Sequence, residues 1–319
     1  MPRDFEVHPE AKVMIELAAN TNEPPIESLL PSEARRISDS RAAKNVIPSP
    51  SMHDVRDISF RASHGDLRLR LYRPSGYSHL PVTMFFHGGG FMLGGLETHD
   101  GLCRALAGAS GSAIAAVDFR RSPEHRFPAA PDDCASATRW VLSHADEIGI
   151  NPSQFALAGE SSGGNLAAVV AQQLTLTNGP KAALQALLLP ALDLSTDSQS
   201  FEDFADGYLL TRSRARFYFS NYLNRPEDVN DPRASPLRAP SLSGLPSAFV
   251  ITAALDPTLT HTEAYVARLR EAGVPTQYIR YDGWTHGFLF WGNSVASKAA
   301  IAATGSAIAE ALGTKACAH

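Results

Sequence analysis

The chain has 319 residues, of which 44% are hydrophobic and 19% charged, so it is long enough to bury the core of one large domain or two smaller ones. Its 28 basic residues against 33 acidic residues give a formal net charge of −5, and without a basic stripe to neutralise phosphates a nucleic-acid partner is excluded. Three widely spaced cysteines predict a reducing compartment with neither a disulfide framework nor a metal site: Cys103, Cys134 and Cys317.

Localisation follows from two further features of the sequence. The amino-terminal stretch Met1–Glu6 is charged and leads into no apolar segment of the signal-peptide type. No apolar run approaches the ~18 residues that a membrane-spanning helix requires. We therefore expect a cytoplasmic protein without a membrane span.

The first third of the chain changes from a helical to a two-residue period. Residues 5–45 read as helical pieces interrupted by Pro24, Pro25 and Pro31. From Asp57 onward apolar and polar residues alternate on both sides of a turn at residues 63–66, which predicts a β-hairpin.

After the hairpin, strands and helices alternate to the end of the chain. The first of the strands is the apolar segment Val82–Phe86. The elements that follow are strand Ala113–Val117, helix Ala129–His144, strand Phe155–Ala158, helix Asn165–Leu176, strand Ala186–Leu189, strand Ala248–Thr252, helix Thr262–Ala272, strand Gln277–Tyr281 and helix Val295–Leu312. Such alternation predicts an α/β fold with a mostly parallel sheet covered by helices on both faces.

An aromatic-rich segment interrupts this alternation at about residues 195–230. It leaves the sheet after the carboxyl end of a strand, which is the side where α/β proteins bind ligands. Two interpretations remain open, a cap over a binding site and a piece of ordinary hydrophobic core. The aromatic residues are Phe201, Phe204, Tyr208, Phe217, Tyr218, Phe219 and Tyr222.

One motif organises the middle of the chain. Gly159-Glu-Ser-Ser-Gly163 lies between a predicted strand and a predicted helix, which is the context of a nucleophile elbow. A sharp turn there exposes the hydroxyl of Ser161 and aims the first N–H groups of the helix at the same point. Glycine is expected at both ends of the motif because the strand and the helix pass too closely for a Cβ.

Three further loops follow predicted strands and complete the chemistry. His87-Gly-Gly-Gly90 offers unobstructed backbone N–H groups for a developing oxyanion. Asp256 follows one later strand and His286 follows the last one. Serine, acid and histidine in this order predict the catalytic triad of an α/β-hydrolase.

Together these motifs resemble the hormone-sensitive-lipase-like branch of the α/β-hydrolases, the bacterial family IV esterases. The residues that carry the resemblance are His87–Phe91, Gly159–Asn165, Asp118–Ala129 and Asp231–Pro236. The resemblance extends over nearly the whole chain.

The resemblance implies a serine carboxylesterase that hydrolyses short- to medium-chain esters without a cofactor or a metal. It makes Ser161 the nucleophile, His286 the base and Asp256 the orienting acid. The implied oxyanion donors are backbone N–H groups of Gly88, Gly89, Gly90 and Ser162. Residues expected to contact the substrate are Phe91, Phe217 and Tyr222.

The resemblance also implies a division of the chain. Residues 1–50 form an amino-terminal cap segment, residues 51–194 and 231–319 form the catalytic domain, and residues 195–230 form a cap insertion. A homodimer through the last strand, Gln277–Tyr281, is a further hypothesis, since it covers an apolar edge.

Several residues depart from the family pattern. The elbow has Glu160 and Ser162 where the family usually has aspartate and alanine, and Phe119 replaces a tyrosine. Arg121 and Ser122 replace apolar residues, and the acid loop has Thr260 where a second acid is usual. We interpret these changes as altered substrate preference. Two alternatives stay open, an amidase or lactonase with the same triad and a non-catalytic small-molecule receptor of this fold.

Overall fold

The structure is a computed structural model that describes residues 6–21, 23–44, 47–62 and 65–316. Three sequence-based expectations fall outside these ranges. They concern the start of the amino terminus (residues 1–5), the hairpin-turn residues Ser63 and His64, and Cys317.

The described residues form one eight-stranded sheet. Its strands are β1 (Asp54–Ala62), β2 (Gly65–Arg73), β3 (Leu80–Phe86), β4 (Ala113–Asp118), β5 (Ile150–Glu160), β6 (Leu184–Leu188), β7 (Ser247–Leu255) and β8 (Thr276–Thr285). They lie in the order β1-β2-β4-β3-β5-β6-β7-β8. The β1–β2 and β2–β4 pairs are antiparallel, and every pair from β4 to β8 is parallel. The predicted hairpin and the mostly parallel sheet are confirmed.

Helices cover both faces of this sheet. They are α1 (Pro9–Ala19), α2 (Pro31–Ala42), α3 (Asp100–Ser110), α4 (Ala129–Ser143), α5 (Ala145–Ile148), α6 (Ser162–Leu176), α7 (Gln199–Asp203), α8 (Arg212–Tyr222), α9 (Leu259–Glu271) and α10 (Val295–Leu312). Short 3₁₀ turns occur at Ile26–Ser28, Pro226–Asn230, Pro236–Arg238 and Phe288–Phe290. Helix α3 was not predicted from the sequence.

The alternation of side chains along each strand produces two hydrophobic cores. On β3, Met84 and Phe86 point into the core that also contains Leu166 of α6. Phe85, between them, points into the opposite core, which contains Ile308 of α10. A period of two on the strands therefore places one helical layer on each face.

Two strands extend further toward their carboxyl ends than their apolar runs indicated. β5 continues to Glu160, and β8 continues to Thr285 although the predicted strand ended at Tyr281. The extra residues pair with their neighbours, because Leu255 of β7 lies opposite Thr285. As a result Ser161 and His286 each follow directly after a strand.

The helices outside the sheet layers pack around one small cluster. Ile26, Ala34 and Ile37 from the amino-terminal segment lie against Met92 and Leu93, which follow the glycine loop. Phe217 and Tyr218 of α8 pack against the same cluster. The two segments predicted to form a cap are therefore in contact with each other, while the division of the chain into domains stays a prediction.

Three features of the structure relate to the expectations about disulfides, membrane spans and metal sites. Cys103 and Cys134 are free and buried. No helix in the described ranges combines the length and the apolarity that crossing a membrane requires. Within the same ranges, no three potential metal ligands of the histidine, cysteine, aspartate or glutamate type are grouped together.

Candidate active site

The turn between β5 and α6 holds the elbow serine. Ser161 has φ 54° and ψ −117°, a backbone conformation that non-glycine residues rarely adopt. It is fixed there because its N–H donates to the Leu188 carbonyl at 2.8 Å and its carbonyl accepts from the Ala191 N–H at 3.1 Å. A Cβ on Gly163 would overlap the Phe86 carbonyl, so only glycine lets α6 begin this close to β3.

Ser161, His286 and Asp256 form one hydrogen-bonded chain. Ser161 Oγ lies 2.9 Å from His286 Nε2, and His286 Nδ1 lies 2.6 Å from Asp256 Oδ2. Asp256 is fully buried, and its Oδ1 accepts from the N–H and the hydroxyl of Thr258, both at 2.8 Å. A carboxylate accepts only, so Nδ1 carries the imidazole proton and Nε2 faces the serine hydroxyl as an acceptor. In this arrangement the histidine can take the serine proton.

Electrostatics at the histidine favour its protonated form. Burial by itself lowers the pKa of His286, but the charge and hydrogen bond of Asp256 and the charge of Glu160 outweigh it. The pKa of His286 therefore lies above its ordinary value. The same carboxylates stabilise the imidazolium that forms when the serine proton is transferred.

Backbone donors lie beside the serine. Among the described residues, the N–H groups of Gly89, Gly90 and Ser162 make no hydrogen bond, and all three residues line the cavity that contains Ser161. Ser162 is the first residue of α6, so its N–H is one of the unpaired donors of a helix amino terminus. These three groups can donate to an oxyanion.

Gly88 does not belong to this set, and its prediction as an oxyanion donor is corrected. Its N–H donates to Nε2 of His99 at 3.1 Å, and Gly88 lies outside the cavity lining. Because Nε2 accepts, the proton of His99 resides on Nδ1, which donates to Thr98 Oγ1 at 2.8 Å. A Cβ on Gly88 would also overlap the Glu160 carboxylate, so glycine is needed here for close approach.

His99 is a site residue that was not predicted from the sequence. It is buried, and its ring packs between those of His87, Phe85 and Phe290. Through the Gly88 N–H it holds the first peptide of the glycine loop. A buried histidine shortly after such a loop is the signal that could have identified it.

His87, the first residue of the glycine loop, is neutral. Burial lowers the pKa of His87 to about 3, with His99 and Arg121 acting in the same direction and the Gly88 carbonyl against it. Its Nδ1 donates to that carbonyl at 2.8 Å, and its ring stacks on Phe119 with 4.1 Å between centroids. Nε2 is buried without a partner in the described part of the chain. His87 therefore supports the loop and does not serve as a second base.

Phe91 and Tyr222 lie beneath the cavity and not in its wall, which corrects their predicted role. Their rings stack at 3.8 Å between centroids, and both side chains are fully buried. Phe91 links two loops through its backbone, since its N–H donates to Ser162 Oγ at 3.2 Å and its carbonyl accepts from the Ser122 N–H at 2.9 Å. Ser122 Oγ also donates to the Phe91 carbonyl at 3.2 Å, so the hydroxyls that depart from the family pattern at positions 122 and 162 both hold the oxyanion loop in place.

A cavity of about 360 Å³ lies over Ser161, within the size range of small-molecule sites. Residues from α8 form part of its wall, but Phe217 is not one of them because its side chain faces the small cluster next to Ile26. Tyr218, whose ring lies against Gly90, lines the cavity instead. The main apolar lining residues are Met14, Leu210, Ala215, Phe219, Phe290 and Trp291.

Thr260, where the family usually has an acid, ties the acid loop to the insertion. Its N–H donates to Ser200 Oγ at 3.2 Å, and its Oγ1 accepts from the Ser200 N–H at 3.3 Å. Ser200 Oγ also donates to the Pro257 carbonyl at 2.6 Å. The first part of the insertion therefore packs on the loop that carries Asp256, and only the part around α8 reaches the cavity.

Comparison with known proteins places this geometry in a family. A family model described as alpha/beta hydrolase fold matches residues 83–290, which include the glycine loop, the elbow, Asp256 and His286. The chain belongs to this alpha/beta hydrolase family. Its membership of the hormone-sensitive-lipase-like branch is confirmed as well.

Several proteins that are similar to this chain are named as ester hydrolases or esterases. Carboxylic ester hydrolase LipN of Mycobacterium tuberculosis is 42% identical over 78% of this chain and 68% of its own length. Arylesterase of Saccharolobus solfataricus is 36% identical over 76% of this chain and 79% of its own length.

Solved structures give the same result. The ester hydrolase EH1AB1 from the metagenome of Lake Arreo superposes with a TM-score of 0.92 at 34% identity, over 97% of this chain and 100% of that one. A thermostable esterase from Pseudomonas putida ECU1011 has a TM-score of 0.92 at 35% identity, over 96% of this chain and 98% of that one.

Proposed function

We propose that this alpha/beta hydrolase is a carboxylesterase that works through an acyl-enzyme formed on Ser161. The observation that carries the proposal is the hydrogen-bonded chain from Ser161 through His286 to Asp256 at the base of the cavity. The names of its relatives support the choice of esters as the substrate class.

In the proposed mechanism, His286 Nε2 takes the hydroxyl proton as Ser161 Oγ attacks the ester carbonyl carbon. The N–H groups of Gly89, Gly90 and Ser162 receive the negative charge that develops on the carbonyl oxygen. The imidazolium then gives its proton to the departing alcohol, which leaves an acyl group on the serine. Water repeats the sequence and releases the acid.

The cavity supports a preference for short to medium acyl chains. A volume of about 360 Å³ is at the low end for small-molecule sites. The ring of Tyr218 occupies space beside Gly90, and Phe219 also lines the cavity. A butyryl group fits such a space more readily than a long fatty acyl chain does.

The test is substitution of the nucleophile and the base. We expect Ser161→Ala and His286→Ala each to reduce kcat/KM for 4-nitrophenyl butyrate by about 10⁴-fold or more, because the triad acts as a unit. The burst of nitrophenol should vanish in Ser161→Ala. Matched controls are Ser153→Ala and His125→Ala, since both side chains are exposed.

Two results would contradict the proposal. The first is turnover near the wild-type rate in either triad variant while the controls are normal. The second is faster hydrolysis of the matched butyryl anilide or of a γ-lactone than of the ester, which would favour the amidase or lactonase alternative.

A further inference from the structure

Two arginines from different helices line the cavity over Ser161. Arg41 is in the last turn of α2, and Arg214 is in the first turn of α8. Their side chains are 35% and 26% exposed. Small-molecule sites are mostly apolar with a few placed polar groups that fix orientation, so two guanidinium groups in one wall indicate a specific ligand group.

Each of the two guanidinium groups has N–H donors that make no hydrogen bond within the described residues. Arg41 Nε donates to Glu23 at 2.7 Å, while Arg214 donates from Nε to Glu27 at 3.3 Å and from Nη1 to the Leu209 carbonyl at 3.0 Å. Among the described residues, Nη1 and Nη2 of Arg41 make no hydrogen bond, and Nη2 of Arg214 makes none either. The guanidinium carries five donors in a planar fork, so an acceptor can still be bound.

The two ion pairs present their positive ends to the cavity. Arg41 and Arg214 belong to the lining, whereas Glu23 and Glu27 do not. Glu27 is ionised: burial raises its pKa, but its own backbone N–H, Arg214 and Ser213 together hold that pKa below the ordinary value. Each pair is therefore a dipole with its cationic side toward a bound molecule.

Tyr218 lines the same cavity as the two arginines and lies one helical turn after Arg214 on α8. Burial raises the pKa of Tyr218 to about 12, and the charges of both Arg214 and Arg41 act on its hydroxyl against that rise. The hydroxyl is thus protonated and within electrostatic reach of both guanidinium groups. In the described part of the chain it makes no hydrogen bond, so it is a third available donor.

Apart from the two arginines, Glu160 is the only residue with a carboxylate or guanidinium group that lines the cavity in the described part of the chain, and it lies at the base of the cavity. Glu160 directly precedes Ser161, and its charge acts on His286. Negative charge is therefore concentrated at the reacting end, and positive charge in the wall formed by α2 and α8. An anionic substrate is oriented by this separation, with its charge directed away from the scissile bond.

We propose that the cavity binds esters that carry a carboxylate remote from the scissile carbonyl, with Arg41, Arg214 and Tyr218 as its donors. This inference rests on the proposed esterase function at Ser161. The carboxylate belongs either to the acyl part, as in a monoester of a dicarboxylic acid, or to the alcohol part, as in an ester of a hydroxy acid.

Two pairs of substrates separate these sources and isolate the charge. The acyl pair is the 4-nitrophenyl monoester of glutaric acid and the 4-nitrophenyl ester of glutaric acid monoamide. The alcohol pair is the butyrate ester of 4-hydroxybenzoate and that of 4-hydroxybenzamide. Within each pair a carboxylate replaces a carboxamide of nearly the same shape. We expect the wild-type kcat/KM to favour the carboxylate by about 10-fold or more in one pair.

Substitutions then assign the preference to the subsite. Arg41→Gln and Arg214→Gln should each lower the carboxylate-to-carboxamide ratio by about 10-fold, mainly because KM rises more for the carboxylate substrate than for the carboxamide substrate. Arg36→Gln on α2 and Arg216→Gln on α8 are matched controls, since both side chains are exposed and neither lines the cavity.

One variant separates a binding role from a structural role. Glu23→Gln removes the anion that compensates Arg41, so it should raise the ratio if the guanidinium binds substrate. Damage to the packing of α2 would instead lower the activity on both members of the pair.

The outcomes are distinct. Hydrolysis of the carboxamide esters that depends on Ser161, with ratios near 1 in both pairs, would overturn the subsite and leave the esterase function intact. Equal losses on both members in the arginine variants, with no rise in Glu23→Gln, would also overturn it. If the wild type hydrolyses none of the four esters, both the proposed function and the subsite fail.

Discussion

At the scale of single residues, Asp256 has the most constrained environment in the site. Both of its oxygens are engaged, one by His286 and the other by Thr258, and no part of the side chain reaches solvent. Two other acids lie close to the triad loops in sequence but are engaged elsewhere, since Asp282 pairs with Arg280 at 2.8 Å and Glu263 of α9 accepts from Tyr278 at 3.2 Å. Neither is placed to orient the imidazole.

Asp256→Asn should lower kcat/KM for 4-nitrophenyl butyrate by at least about 100-fold, because an amide in place of the carboxylate favours the wrong tautomer of His286. Asp282→Asn and Glu263→Gln are the matched controls and should retain most activity. Circular dichroism verifies that each variant folds. Full activity in Asp256→Asn would exclude it as the orienting acid.

The pH dependence of activity is a second test of the pairing between His286 and Asp256. Protonated His286 cannot accept the serine proton, so activity falls as the pH drops through its pKa. Because that pKa is raised, the fall should begin at higher pH than for an unperturbed histidine with a pKa of about 6.5. Asp256→Asn should move the residual profile to lower pH, since burial then acts without the carboxylate. A profile that stays in place would contradict this coupling.

His99 acts through the glycine loop and not on the substrate. His99→Phe keeps the aromatic packing but leaves the Gly88 N–H without its acceptor, so the N–H groups of Gly89 and Gly90 lose their orientation. We expect kcat to fall by about 10-fold or more with little change in KM. His99→Gln supplies an oxygen acceptor and should recover much of kcat. A rise in KM at unchanged kcat would show that His99 has another role.

At the scale of elements, helix α8 separates a cavity face from a packing face. Ala215 and Phe219 line the cavity, Phe217 packs against the cluster around Ile26, and Tyr218 between them does both. Phe217, Tyr218 and Phe219 are all aromatic and adjacent in sequence, so composition alone cannot distinguish them. The distinction arises only when the helix is docked on the amino-terminal segment.

Phe219→Ala should therefore widen the acyl space and raise kcat/KM for 4-nitrophenyl octanoate relative to butyrate by about 5-fold or more, given roughly 0.8 kcal/mol for each buried methylene. Phe217→Ala is the matched control on the same helix and should leave this chain-length ratio unchanged. An equal response of the two variants would show that α8 does not set the chain-length preference.

At the scale of the whole molecule, β8 is one of the two edge strands of the sheet, and β1 is the other. Among the described residues β8 pairs only with β7, and Arg280, Asp282 and Glu263 place charges of both signs along that edge. Exposed edge strands are natural sites for pairing with another chain unless charges or covering elements block them. Such charges oppose pairing unless they are matched across the interface, so the homodimer through this strand stays a hypothesis.

Light scattering at micromolar concentration should then give the mass of a dimer. Arg280→Asp puts acidic side chains together on the edge and should yield a monomer with kcat/KM close to that of the wild type. A monomeric wild-type protein at the same concentration would refute the hypothesis.

The extent to which sequence predicted the structure differs from residue to residue. The strands β3, β5 and β7 were predictable because each is a short apolar run. The proximity of Ser161, Asp256 and His286 was predictable because they follow strand ends in a known order. The Gly88–His99 bond was not predictable, since it depends on how a loop folds back on itself. The burial of Phe91 against Tyr222 depends on contact between distant segments, which no local pattern encodes.

The position of His286 directly after β8 couples catalysis to an edge strand of the sheet. Within the described residues, β8 pairs with β7 on one side only. Near its carboxyl end it also contacts His8, whose N–H donates to the Gly283 carbonyl at 3.0 Å and whose ring stacks on Trp284 with 4.7 Å between centroids. Edge strands open locally at lower free energy than central ones. On warming, turnover should therefore cease while the central strands are still intact, and the half-life of activity will report the fraying of one sheet edge and not the melting of the fold.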